Sequence, residues 1–246
     1  MNTVRSILVF LWIAVSIIPF GLLLVLCSLF LRDDKLWWWC AVPWLRLSIS
    51  AARGIGGVNY RVEGEENLPS RSDMQRVILC PKHQSTWETF YFPSMTPHAL
   101  AYVFKQELLR IPVFGWSIGR LGMIHIDRSK RSEAWTKVAE QGKILMDRGK
   151  WVIMFPEGTR TERGKQGAYK IGATRLAVAT DAQVIPIAVT SARCWPRRSF
   201  RFIPGTIDVS IGKPISATGR EPQEMMEEIE AWIEAEMRRL DPQAYA

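Results

Sequence analysis

VILCPKHQSTWE, residues 77–88, decides the fold, because it passes from an apolar run through a short loop to a candidate helix start. Residues 77–80 are typical of a buried strand, and Pro81 ends that run. His83 then lies in the loop that leaves the strand, where side chains more often face a cleft than a core. The stretch therefore predicts a strand, a loop and a helix, with an imidazole between the two elements.

Ser85 and Glu88 have the spacing of a capping box, with serine as the N-cap and glutamate at the third helical position. Since helical side chains lean toward the helix N-terminus, Glu88 is expected to point back at His83. A carboxylate that accepts a hydrogen bond from one ring nitrogen leaves the other nitrogen free to take a proton. The alternative is that Glu88 only caps the helix and that His83 is an ordinary loop residue.

Two further blocks place polar residues directly after strand-like runs. GMIHIDR, residues 122–128, ends one run, and FPEGTR, residues 155–160, follows another. In open α/β sheets, ligands bind at the carboxyl ends of the strands. We therefore expect the three loops to meet at one edge of a sheet and to form a site there.

These blocks and VIPI, residues 184–187, resemble in order and spacing the four motifs of the glycerolipid acyltransferases, in particular the 1-acylglycerol-3-phosphate (lysophosphatidate) acyltransferases. The resemblance runs from about Gly56 to Pro214. Its first motif usually carries aspartate where this chain has Glu88, so the pattern here is HX4E. Glutamate keeps the charge and lengthens the reach by a methylene, which bears on the geometry of the pair and on the substrate subclass.

The resemblance implies transfer of a fatty acyl group from acyl-CoA or acyl-carrier protein to the free hydroxyl of 1-acylglycerol 3-phosphate. The product would be phosphatidate, in phospholipid biosynthesis. His83 would be the general base and Glu88 would orient it, so that neither a covalent nucleophile, a metal nor a cofactor is needed. Ser85 is the alternative nucleophile, as in a lipid hydrolase, but it does not lie in a G-x-S-x-G pattern.

The resemblance also implies a site for the phosphate of the acceptor. Its members would be Arg128, Glu157, Gly158 and Arg160, with Lys105 in a secondary role. Arginine offers a planar fork to phosphate oxygens, and glycine lets the backbone approach closely. Pro186 in the fourth motif is expected to shape the acyl pocket or to have a structural role.

Composition indicates a globular protein with an anionic partner. The 246 residues are 48% hydrophobic and 23% charged, the net charge is +8, and 11 residues are tryptophan, which favours membrane interfaces. The basic and aromatic stretch 193–202 suits an anionic membrane surface, a substrate-facing rim or single-stranded nucleic acid. Because the N-terminus is apolar, membrane lipids are the expected partner and nucleic acid is not. The cysteines form no C-x-x-C pair, so no zinc site is expected.

The N-terminal segment predicts attachment to a membrane. Residues 6–31 carry no charge and could cross a hydrocarbon core of roughly 30 Å, whereas residues 36–49 are shorter and contain Arg46. We therefore predict a helical hairpin that enters one leaflet, with a complete span by the first helix as the alternative. A signal peptide fits this segment poorly, because the apolar region is too long and no A-x-A cleavage site follows it. A buried core helix is the remaining alternative. Later basic residues place the body on the cytoplasmic side of the inner (plasma) membrane.

The division of the chain is expected near Gly56. Residues 1–55 would be membrane-anchoring helices, and residues 56–246 a catalytic domain in which strands and helices alternate. The fold class is α/β, with a mostly parallel mixed sheet of about seven strands flanked by helices. Predicted strands are 59–63, 77–80, 100–104, 123–126, 151–155, 184–189 and 207–211. Predicted helices are 86–94, 132–148, 172–180 and 222–240.

An acceptor of another kind would fit the same motifs. Other lysophospholipids, lyso-amino-acid lipids and glycerol 3-phosphate are the alternatives within the class. A membrane-tethered protein that binds anionic lipid without catalysis would explain the charge and the tryptophans. It would not explain why His83, Glu88, Glu157 and Arg160 fall where they do.

Overall fold

The computed structural model describes residues 2–32, 34–126 and 131–245, and it confirms the α/β prediction. Eight strands within these ranges form one mixed sheet with helices packed on its faces. The strands are β1 Val58–Glu63, β2 Val77–Pro81, β3 Leu100–Lys105, β4 Ile124–Ile126, β5 Trp151–Ile153, β6 Gln183–Val189, β7 Gly205–Ile211 and β8 Ile215–Ser216. The helices are α1 Asn2–Cys27, α2 Asp34–Leu36, α3 Val42–Gly54, α4 Trp87–Met95, α5 Phe114–Ile118, α6 Arg131–Asp147, α7 Gly172–Thr180 and α8 Pro222–Leu240.

Strand order determines which loops meet. The order is β1-β7-β6-β2-β5-β3-β4, with β8 beside β6. Strands β6, β2, β5, β3 and β4 are parallel to their neighbours in this series, whereas β7 and β8 run antiparallel to β6. The carboxyl ends of β2, β5, β3 and β4 therefore lie along one edge, as the motif positions predict.

The central strand β2 is buried on both faces. Leu79 belongs to an apolar cluster that includes residues of α4 and the N-terminal helices, and Ile78 belongs to a second cluster that includes residues of α7 and α8. Both residues are fully buried, because a parallel strand covered on two faces has no solvent side. This burial explains why residues 77–80 form a continuous apolar run instead of alternating with polar residues.

The N-terminal helices form a hairpin that packs on the body of the protein. Trp44 on α3 donates from its indole nitrogen to the hydroxyl of Ser16 on α1 at 3.0 Å. Among the described residues, the helix segment Thr3–Cys27 is the one long and apolar enough to cross a membrane, with a mean hydropathy of 2.7 in its most apolar window. Its outer face exposes Leu11 and Val15. A π-helical turn, Trp37–Ala41, leads into α3.

Several element boundaries differ from the sequence prediction. Helix α4 begins at Trp87, one residue later than predicted, and β5 ends at Ile153, two residues earlier. Neither α5 nor β8 is predicted, because elements of five and two residues are too short to give a periodic signal.

Candidate active site

His83 and Glu88 form a hydrogen-bonded pair at the carboxyl end of β2. The Nδ1 atom of His83 lies 2.9 Å from Oε2 of Glu88. When Nδ1 carries the proton and donates it to the carboxylate, Nε2 keeps its lone pair. Glu88 is fully buried, whereas the imidazole retains 12% exposure. The pair thus has one partner that is fixed and one that solvent or a ligand can reach.

Glu88 is held by several donors besides the imidazole. Its Oε1 accepts the backbone N–H groups of Gln84 at 3.0 Å and Ser85 at 2.9 Å, together with the hydroxyl of Ser191. Backbone and hydroxyl donors of this kind fix the orientation of the carboxylate. Ser191 follows β6, whose carboxyl end reaches the same edge of the sheet as β2. The rule that singled out the other loops could therefore have found it.

Ser85 lies one residue before the N-cap of α4, which is Thr86 and not Ser85 as predicted. It is fully buried, and its hydroxyl accepts the backbone N–H of Trp87 at 3.1 Å. Glu88 supplies the glutamate half of the predicted capping box, since it accepts the backbone N–H of Ser85. The serine oxygen, however, bonds the N–H two residues on instead of three, because the helix begins one residue later. A buried hydroxyl that faces its own backbone is poorly placed to be a nucleophile.

The FPEGTR loop packs directly against the His83 loop. The ring of Phe155 stacks on the imidazole with centroids 3.8 Å apart. Thr161 donates its backbone N–H and its hydroxyl to the carbonyl oxygen of His83, at 2.8 and 3.1 Å. Two loops that are far apart in sequence therefore fix the position of the imidazole jointly.

Glu157 lies behind the His83 loop, with a side chain only 1% exposed. Its Oε1 is 3.3 Å from Nζ of Lys82 and accepts the backbone N–H of His83 at 3.4 Å. Burial raises the pKa of Glu157, and Lys82 partly offsets that rise. Its carboxylate therefore contacts the buried lysine, and the expectation that Glu157 belongs to the acceptor site stays a prediction.

Lys82 links the His83 loop to the C-terminal helix. Its ammonium is fully buried and lies 2.5 Å from Oε1 of Glu234 on α8. Tyr169 donates its hydroxyl to the same carboxylate oxygen at 2.8 Å, and its pKa is raised by burial and by the neighbouring carboxylates. Sequence reasoning missed this network, because no spacing rule connects residue 82 with residue 234.

The basic residues expected at the phosphate site have different positions. Arg160 is half-buried and lines a cavity, while Lys105 is exposed at the end of β3, opposite Ile126 of β4. Arg128 lies outside the described residues. Gly158 has φ +67°, and a β-carbon there would lie 2.9 Å from Nζ of Lys170. The left-handed backbone favours glycine at this turn, whereas the flexible end of Lys170 could move aside.

Pro186 pairs with Cys80 of β2 on one side and lies between two antiparallel ladders of β6 on the other. The strand pairs with β8 at Gln183 and Val184 and with β7 from Ile187 onward, so the missing N–H of proline interrupts neither ladder. A β-carbon at the neighbouring Gly212 would meet both Pro186 and Trp232 of α8. Of the two roles expected for Pro186, this environment favours the structural one.

An apolar cavity of about 400 Å³ lies between the N-terminal helices and the sheet. Both parts of the chain line it. The N-terminal segment contributes Leu24, Trp37 and Ala41, and the body contributes Phe90, Leu121 and Arg160, together with Thr86 of the HQSTWE motif. The cavity is therefore mostly apolar, with Arg160 and a residue of the HQSTWE motif in its wall.

The fold and this site define an α/β protein with a histidine–carboxylate pair at the carboxyl edge of a mixed sheet, beside an apolar cavity. No group of three or more His, Cys, Asp or Glu side chains suited to a metal ion occurs in the described part of the chain.

A family model described as "Acyltransferase" matches residues 59–190. A 1-acyl-sn-glycerol-3-phosphate acyltransferase of Pseudomonas aeruginosa is 35% identical over 98% of this chain and 93% of its own length. The alpha form of that enzyme from Mus musculus is 29% identical over 74% of this chain and 63% of its own length. The chain therefore belongs to the acyltransferase family.

A solved structure confirms the fold independently of sequence. The crystal structure of the 1-acyl-sn-glycerophosphate acyltransferase from Thermotoga maritima superposes with a TM-score of 0.81 over 98% of this chain and 96% of that chain. Sequence identity between the two is 24%. The likeness extends over the N-terminal hairpin as well as the sheet, since it covers nearly the whole chain.

Proposed function

We propose that this protein transfers a fatty acyl group from a thioester donor to the free hydroxyl of 1-acylglycerol 3-phosphate. The single observation that carries the proposal is the His83–Glu88 pair, with its 2.9 Å bond and its partly exposed imidazole. The names of the relatives support lysophosphatidate as the acceptor. Either acyl-CoA or acyl-carrier protein would bring the acyl group as a thioester, so no further cofactor is needed.

In this mechanism His83 is the general base. Its Nε2 takes the proton of the acceptor hydroxyl while the hydroxyl oxygen attacks the thioester carbonyl carbon. The tetrahedral intermediate then expels the thiolate, which receives the proton from the imidazolium. Glu88 holds the ring through Nδ1 and stabilises the positive charge that forms on it. Ser191 and the backbone donors keep Glu88 in place.

The apolar cavity gives the N-terminal helices a second role in this proposal. An acyl chain of a substrate would lie between Trp37 and Leu121, with its polar end toward Thr86 and Arg160. A volume of about 400 Å³ is within the range of small-molecule sites. Residues 1–55 would then anchor the protein and complete the pocket, while residues 56–246 would supply the reacting groups.

Arg160 would bind the phosphate of the acceptor. We expect Arg160→Ala to raise KM for lysophosphatidate by about ten- to a hundredfold, since a hydrogen bond to a charged group contributes roughly 1.5–3 kcal/mol. Steady-state kinetics with a labelled acyl-CoA would measure the change. Arg160→Lys should recover only part of the loss, because an ammonium lacks the planar fork.

A matched control is Arg148→Ala, an exposed arginine at the end of α6, just before β5 begins at the opposite edge of the sheet. It should leave both kinetic constants unchanged. The same assay on glycerol 3-phosphate, a second lysophospholipid and a lyso-amino-acid lipid tests the acceptor class. If one of these is used and lysophosphatidate is not, the chemistry stands and the proposed acceptor is wrong.

Membrane attachment through the hairpin is part of the proposal. Leu29, Phe30 and Trp39 near the hairpin turn are between 67% and 84% exposed, which favours burial of that tip in lipid. The body would lie on the cytoplasmic face of the inner membrane.

With a tag at the N-terminus and sealed vesicles, protease should reach the tag and the body from the same face. Digestion from opposite faces would instead indicate that α1 spans the bilayer completely.

A further inference from the structure

A second cavity, of about 470 Å³, adjoins the apolar one. The two share Thr86, Phe90 and Arg160 in their walls. On its outer side the second cavity is lined by the loop between β6 and β7, where Arg198 and Ser199 reach it. Both cavities thus end beside the motif that carries His83, but only the second has two arginines in its wall.

The loop that carries Arg198 is held in place by buried groups. Trp195 is 5% exposed and donates its indole N–H to the carbonyl of Ser199 at 3.0 Å. Arg197 donates from its guanidinium to the carbonyl oxygen of Arg160 at 2.8 Å, which ties this loop to the FPEGTR loop. Arg160 and Arg198 are therefore held on one structural unit.

The backbone at Arg198 is in the left-handed region, with φ +55°. Glycine or asparagine would adopt this conformation more easily than arginine, so the side chain is kept at a conformational cost. Within the described ranges, the guanidinium of Arg198 has no hydrogen-bond or ion-pair partner, and neither has that of Arg160. Arg163 and Arg193, by contrast, pair with Asp241 at 2.7 and 3.4 Å. No described carboxylate lines the second cavity.

We propose that Arg198 is a second phosphate-binding arginine, which acts with Arg160 in the wall of this cavity. Two unpaired guanidinium groups in a pocket without a counter-charge suit a phosphate group, whose oxygens accept hydrogen bonds from planar forks. The phosphate could belong to the thioester donor, as in acyl-CoA, or to the acceptor. This inference rests on the proposed function, and it adds a residue that none of the four motifs contains.

Kinetics of Arg198→Gln would distinguish the two sources. In micelles of an uncharged detergent, we expect KM to rise by about tenfold for one substrate, with a smaller change in kcat. A rise for acyl-CoA would assign the site to the donor, and a rise for lysophosphatidate would assign it to the acceptor. Arg201→Gln is the matched control, since both Arg198 and Arg201 are exposed arginines of this loop, but only Arg198 lines the cavity.

The proposal would be overturned if Arg198→Gln left KM unchanged for both acyl-CoA and lysophosphatidate. It would also be overturned if Arg198→Gln and Arg201→Gln had equal effects. A defect that appears only on vesicles of anionic lipid would overturn it as well, because that pattern indicates a contact with the membrane surface instead of a substrate.

Inorganic pyrophosphate provides a readout that does not need turnover. It should raise the thermal unfolding midpoint of the native protein and raise that of Arg198→Gln less. If the native chain is inactive on lysophosphatidate but this difference persists, the acceptor is wrong and the anion site stands.

Arg198→Gly separates the side chain from the backbone. Glycine relieves the left-handed strain, so the variant should fold with an unfolding midpoint at or above that of the native protein. Its KM should rise as much as that of Arg198→Gln. If Arg198→Gly has the same KM values as the native protein, residue 198 serves only to shape the loop, and the proposal is overturned.

Discussion

Replacement of His83 by glutamine is expected to lower kcat by a factor of about 10² to 10⁴. Glutamine can donate its amide N–H to Glu88, so the buried carboxylate keeps a partner in place of the ring nitrogen. It cannot accept a proton from the acceptor hydroxyl near neutral pH. The substitution therefore removes the base and preserves the packing around it, and KM for both substrates should change little.

The measurement is acyl transfer from labelled acyl-CoA to lysophosphatidate, with thermal unfolding measured on the same preparations. His125→Gln is the control, because His125 lies in β4 at the far end of the sheet and its ring faces Phe104 at 6.3 Å. That variant should keep most of the turnover. If His83→Gln has the same kcat as the native protein, His83 is not the base. Loss of turnover together with a large fall in the unfolding midpoint would point to a role in folding.

Motif positions and strand order together explain how much of the site the sequence could reveal. His83, Phe155 and Arg160 follow strands that are parallel and close in the sheet, so the polar residues after those strands had to meet. Glu88 was predictable because helix geometry turns its side chain back toward His83. These inferences need only local spacing and the rule about the carboxyl edge.

Contacts that depend on the packing of distant elements were not predictable. From the sequence, Lys82 would be expected to be a solvent-exposed loop residue. In the structure α8 covers it and supplies Glu234 as its partner. The N-terminal helices read as an anchor, and only their docking on α4 and α5 makes them a wall of the apolar cavity. Arg198 belongs to a stretch whose composition suits several anionic partners. Only the folded structure brings Arg160 into the wall of the same cavity.

Lys82→Met is expected to destabilise the fold by about 3–5 kcal/mol, because it leaves buried carboxylates without their cation. Methionine matches the aliphatic stem of lysine, so the loss is mainly electrostatic. Glu157 and Glu234 each already have one carboxylate oxygen that finds no partner among the described residues. For a chain of this size the thermal midpoint should fall by roughly 6–20 °C. Turnover should fall as well, since Glu157 also accepts the backbone N–H of His83.

A surface ion pair provides the matched control for that substitution. Lys143 lies 2.8 Å from Asp147 on α6, but their side chains are 52% and 37% exposed. Lys143→Met should therefore change stability by no more than about 1 kcal/mol, since water screens the pair. Equal effects of Lys82→Met and Lys143→Met on the unfolding midpoint would mean that burial of the Lys82 network has no energetic consequence.

The pH dependence identifies the uncompensated charge as the cause. Because burial raises the pKa of Glu157, the folded protein binds that proton more tightly than the unfolded chain does. Stability from such a group is present at low pH and is lost as pH rises through the folded pKa. Without Lys82 the rise in pKa is no longer offset, so the stability gap between Lys82→Met and the native protein should widen as the pH rises above the ordinary pKa of a glutamate. Adding Glu157→Gln and Glu234→Gln to Lys82→Met should remove this widening and restore much of the stability, because no buried charge remains. A gap that is independent of pH, or a triple variant as unstable as Lys82→Met alone, would assign the loss to packing.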